Sequence, residues 1–149
     1  MRKLFFLLLL TTLLGACGGS GDKQSEETNS KSDSLMDEVI AGHDVAMPKM
    51  MKLQRLEKET RAAIDSIEKL PAAAKQSLSG YRAKLDSLLA SLQHAETRMN
   101  KWMNEFNYDS FKNDEAQRIK YLVGEKTKVN EVKDAVLGAI NKADSLLKK

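Results

Sequence analysis

Residues 33–71 read DSLMDEVIAGHDVAMPKMMKLQRLEKETRAAIDSIEKLP, and this stretch decides the fold. Leu35, Val39, His43, Ala46, Met50, Leu53, Thr60, Ile64 and Ile67 recur at spacings of three and four and form one drifting stripe. A stripe of that period is one face of a helix, and no sustained alternation of apolar and polar residues competes with it. The stripe stops at Leu70-Pro71, because a proline disfavours helical backbone in the residue before it. Inside it, Pro48 removes one backbone hydrogen bond and crowds the carbonyl of Asp44, so a kink or a break between two shorter helices is expected there. Gly42, one turn earlier, could absorb the bend.

The same period continues to the end of the chain. From Pro71, a good first-turn residue, a second stripe runs through Ala74, Leu78, Tyr81, Leu85, Leu88, Leu92, Ala95, Met99, Trp102, Met103 and Phe106. It closes in the polar, aromatic stretch 107–113. Asp114 is a plausible cap for a third helix carrying Ile119, Leu122, Val123, Val129, Val132, Val136, Ile140, Ala143 and Leu147. Gly80, Gly124 and Gly138 each weaken a helix by up to about 1 kcal/mol relative to alanine. Three long helices with short connections predict an all-α fold, an antiparallel three-helix bundle over 33–149 with its first helix kinked or broken near Pro48. Heptad-like spacing favours shallow crossing of the helices.

Outside the bundle, the chain opens MRKLFFLLLLTTLLGAC. Arg2 and Lys3 precede an apolar run, Leu4 to Leu14, of signal-peptide length and too short for a comfortable membrane span. The run ends in Leu14-Gly15-Ala16-Cys17, which resembles the lipobox of bacterial lipoproteins. The resemblance implies a signal peptide over residues 1–16, cleavage after Ala16, and diacylglyceryl and acyl chains of the palmitate kind on Cys17. Each buried methylene contributes about 0.8 kcal/mol, so two or more chains hold a protein stably on a bilayer. With Cys17 the segment 17–32 reads as a tether: GGSGDKQSEETNSKS has no aliphatic or aromatic residue and cannot form a core. The expected place is the cell envelope, and the outer membrane by default, since residues 18–21, Gly-Gly-Ser-Gly, carry no acidic side chain.

Removing residues 1–16 leaves 133 of the 149 residues, which suits one domain. It also leaves 22 basic against 21 acidic side chains, mixed along the chain, with no basic stripe or zinc spacing to suggest nucleic acid. Cys17 is the only cysteine, so a lipidated chain has neither disulfide nor thiolate. No phosphate loop, nucleophile elbow or HExxH is present, and neither histidine lies three residues after a glutamate, the spacing of bundle carboxylate–metal sites. An enzyme is therefore not expected.

One constellation stands out. Met36, His43, Met47 and Met50 fall within about 60° of one another on an ideal wheel, and Met99 and Met103 share a face of the second helix. Folding at Pro71 sets position 43 beside 99 and position 39 beside 103. Thioethers and imidazole suit Cu(I) or Ag(I), so His43, Met47, Met50, Met99 and Met103 form a candidate ligand set. His94 points away from Met99 and is the weaker candidate. Against this stands ordinary packing: methionine fills gaps in helical cores, and sulfur gains from contact with a ring such as Trp102.

The segments HDVAMPKMMKL, MNKWMNEF and YLVGEKTKVNEVKDAVLGAI resemble a family of small Bacteroidetes-type lipoproteins that often carry the label "viral A-type inclusion protein". The shared pattern corresponds to His43, Asp44, Met47, Pro48, Lys49 and Met50, then Met99, Trp102 and Met103. The resemblance implies export and helices, and no particular activity. The expected function is thus a membrane-anchored, periplasm-facing, non-catalytic binding or structural module for an envelope protein partner, with envelope Cu(I)/Ag(I) binding as the alternative.

Overall fold

The computed structural model describes residues 22–147, with side chains from residue 31 onward. The leader 1–16 and Cys17 lie outside the described residues. All the regular structure described is helical: α1 Asp22–Ala46, a 3-10 turn Met47–Lys49, α2 Met50–Glu68, α3 Ala72–Ser77, α4 Ser79–Glu105 and α5 Glu115–Leu147. The expected bundle is present. α1 and α2 form the first rod, α4 the second and α5 the third, and the rods run up, down and up. Cross-rod pairs fix these directions: Glu38 with Lys126 and Lys52 with Asp144 ascend together on rods one and three. Gln54 with Glu96, Glu57 with Gln93 and Glu68 with Arg82 run oppositely on rods one and two. α5, with 33 residues, is about 50 Å long at a 1.5 Å rise.

Pro48 acts as its chemistry requires. It cannot donate to Asp44, and the backbone tightens locally into the 3-10 turn, with the Met50 N–H bonding the Met47 carbonyl. The first rod therefore continues through the proline as two α-helices in succession. Gly42 has a different role from the expected one. A Cβ built there would lie 2.9 Å from Val129 Cγ1, so glycine is what allows α1 to press close against α5.

Two boundaries differ from the sequence reading. Helix α1 begins at Asp22, inside the stretch read as tether, and Ser32 is buried. Lys, Gln and Glu sustain helical backbone without an apolar stripe, so absence of hydrophobic residues excludes a core there and not a helix. The hairpin also turns later than Pro71. The midpoints of the Gln54–Glu96, Glu57–Gln93 and Glu68–Arg82 pairs all fall at residue 75. Pro71 caps the short α3, and Leu78 interrupts the helix before α4 begins. α3 is thus spent on the turn, and at this end of the hairpin the pairing is offset by eight residues, about two turns, from one centred on Pro71. Further along the rods, His43 meets Trp102.

The main core joins all three rods through Val39, Leu53, Leu92, Met99, Leu122, Val129 and Val136, each with its side chain fully or nearly fully enclosed. A smaller cluster of Ile64, Ile67 and Leu85, with Leu78 packed on it, closes the α3 end. Thr60 is buried in α2 and satisfies its hydroxyl by donating to the Leu56 carbonyl at 2.7 Å. Among the described residues no helix is long and apolar enough to cross a membrane.

Candidate functional site

The chemically distinctive groups gather toward the α4–α5 end of the bundle. Helical periodicity places His43 on α1 opposite Trp102 on α4, with ring centroids 5.8 Å apart. Trp102 stacks on Phe106 at 4.9 Å, one turn further along. Phe106 lies against Tyr121 of α5 at 6.3 Å, and Tyr121 meets Phe111 of the connecting loop at 5.9 Å. These five rings form a continuous seam across all three rods. Such pairs prefer offset or tilted contact and each adds about 0.5–1.5 kcal/mol beyond simple burial.

The loop itself is tied to that seam. Asn107 donates its N–H to the Tyr121 hydroxyl at 2.9 Å and accepts the Asp109 N–H on its side-chain oxygen at 3.0 Å. Arg118 reaches back to the Tyr108 and Ser110 carbonyls. Phe111 takes φ 57°, a left-handed backbone that an aromatic residue seldom adopts. Asp114 caps α5 as expected, its Oδ1 accepting the Gln117 N–H at 3.0 Å.

A buried carboxylate, missed in the sequence, sits behind the seam. Glu125 is enclosed on α5; its Oε2 accepts the Trp102 Nε1–H at 3.0 Å and its Oε1 accepts from Lys128 Nζ at 2.7 Å. The bond to Glu125 raises the Lys128 ammonium above the usual lysine value, against a smaller lowering from desolvation. Glu125 thereby locks α4 to α5 at the tryptophan. Its place on the apolar stripe, three residues after Leu122 and four before Val129, was the available signal.

The predicted ligand set divides by burial. Met99 is 0 % and Met50 7 % exposed, both inside the main core with Met36; Met103 is half-buried on the same core. His43 and Met47 instead border a surface depression of about 410 Å³, together with Asp44, Pro48 and Met51. There Met47 is 41 % and Met51 82 % exposed. The His43 Nδ1 pairs with Asp44 Oδ1 at 2.9 Å. Since a carboxylate only accepts, Nδ1 carries the proton and a neutral ring keeps its lone pair on Nε2.

His94 lies elsewhere, on a groove of about 420 Å³ between α4 and α5 that also contains Arg98, Lys101 and Lys128. Each of these cations has an acidic partner, respectively Glu131, Glu105 and Glu125, so the groove is neutralised and offers no ready anion site. Among the described residues, no three His, Cys, Asp or Glu side chains stand close enough together to hold a metal ion. Comparison with protein-family models, with curated proteins and with solved structures finds no match to the chain.

Proposed function

We propose that the chain is an exported lipoprotein, anchored through Cys17 to a membrane of the cell envelope, whose helical bundle acts by binding and not by catalysis. The observation that carries this is the sequence Leu14-Gly15-Ala16-Cys17 closing a basic and then apolar leader. Acyl chains on Cys17 would attach the protein without any spanning helix. A periplasm-facing position at the outer membrane, beside an envelope protein partner, is the setting this reading gives it.

The bundle supports a binding role through what it leaves outside. Val45, Met47, Met51, Tyr108, Phe111 and Val123 are large apolar side chains that contribute to the surface and not to the core. Fractionating cells that express the wild-type chain or Cys17→Ser tests the anchor. The wild type is expected in the membrane fraction, in a form released by detergent and not by salt. Equal membrane partition of the two would refute it.

A further inference from the structure

We propose that His43, Met47 and Met51 form a surface site for a soft univalent metal ion, Cu(I) or Ag(I), with Asp44 as the carboxylate behind the imidazole. This names a ligand for the binding module proposed above and rests on that reading of the bundle, though not on its lipid anchor.

The first argument is what packing accounts for. Met36, Met50 and Met99 are enclosed, and filling the core explains them fully. Met51 is 82 % exposed and Met47 41 %, so neither thioether is placed by core packing. An unbranched apolar side chain held in water gains little, and here two of them border one depression with a histidine.

The second argument is the state of the imidazole. Metal-binding histidines characteristically give their other ring N–H to a carboxylate, which fixes the tautomer and raises ligand basicity. His43 has that arrangement through Asp44 at 2.9 Å, and its ring is further held 5.8 Å from Trp102. The Nε2 lone pair is then the one available for coordination.

The third argument is ligand softness. Two thioethers and one imidazole suit Cu(I), whereas Ca(II) and Mg(II) want several oxygens and Zn(II) wants thiolates, imidazoles or carboxylates in number. The sole cysteine, Cys17, lies far along the chain from this site.

The test is an anaerobic titration of the full-length chain carrying Cys17→Ser, which removes the one thiol, in detergent. Cu(I) is supplied against a bicinchoninate competitor, and Ag(I) separately, with Trp102 emission as the reporter beside the ligand. One equivalent is expected to bind and to quench the emission. Asp44→Asn should weaken binding by roughly 10–100-fold, the usual effect of removing such a carboxylate, and Met47→Leu with Met51→Leu should weaken it further. Met99→Leu should leave affinity unchanged. Failure of the parent chain to compete with the chelator overturns the proposal. So does undiminished binding by the Met47→Leu, Met51→Leu chain, or a loss in Met99→Leu as large as in that double variant. Circular dichroism of each variant separates loss of metal from loss of fold, and because membrane anchoring is measured separately, either reading can fail alone.

Discussion

Replacing Gly42 by alanine probes how the first rod meets the third. In an isolated helix the change would stabilise by about 1 kcal/mol, through propensity alone. Here the new Cβ would stand 2.9 Å from Val129 Cγ1 and 3.4 Å from Cγ2. Val129 is fully buried, and a branched side chain on a helix has essentially one rotamer, so it cannot swing aside. Relief must come from moving α1 away from α5, and overpacking of this size costs about 1–3 kcal/mol. The two terms oppose each other, and the net expectation is a loss of about 1 kcal/mol. A double-mutant cycle separates them. In a Val129→Ala background both Cγ atoms are gone and the nearest remaining atom, Cβ, is 3.7 Å away, an ordinary contact. Gly42→Ala should then stabilise by about 1 kcal/mol, giving a coupling energy of about 1–3 kcal/mol between the two positions. The assay is urea unfolding followed by Trp102 emission and far-UV circular dichroism in the four chains. Equal stabilisation by Gly42→Ala in both backgrounds would refute the close approach of α1 and α5.

Other perturbations address the remaining features. Gly138→Ala has open space around its new Cβ and should raise stability by about 0.5–1 kcal/mol, read from the same urea midpoint; a loss would mean that position is enclosed. Glu125→Ala leaves the Trp102 Nε1–H without its acceptor and should cost about 1.5–3 kcal/mol, while Glu125→Gln, which keeps an acceptor, should cost clearly less; equal losses would show that the bond contributes nothing. Lys128 has its folded-state pKa raised above the usual 10.5 by Glu125, so its pairing stabilises the fold below that pH and the benefit disappears as pH climbs through the raised value. The stability gap between wild type and Lys128→Met should therefore narrow as pH climbs through the raised value, and a gap that stays constant across that range would contradict the assignment.

Much of this architecture is legible in the order of residues. The apolar stripe from Leu35 to Ile67 marks the first rod, Leu70-Pro71 ends it, and Asp114 announces α5, because periodicity, proline sterics and capping are local effects. Registry between rods is not local. Pro71 starts the turn, yet the hairpin centres on residue 75, because α3 and the interruption at Leu78 take up chain before α4 begins. Further along, the ring of α4 that meets His43 is Trp102.

Burial of individual methionines was likewise out of reach of the wheel. Met47 and Met50 share a stripe in an ideal helix, but the 3-10 turn at Met47–Lys49 intervenes, and Met50 is enclosed while Met47 is not. Glu125 shows the converse. A glutamate on an apolar stripe looks like a helix edge until Trp102 is known to point its N–H at that spot. Gly42 similarly reads as a place to absorb the bend at Pro48, and only the packed third rod reveals it as a point of contact.

The central claim is that an acylated Cys17 carries this bundle as a binding module outside the cytoplasm. Intact-mass spectrometry of the native polypeptide extracted from membranes tests it most directly. The account predicts a chain beginning at Cys17, without residues 1–16, whose excess mass is carried by fatty-acyl groups on that one residue. A chain that still bears its leader and a free Cys17 thiol would contradict it.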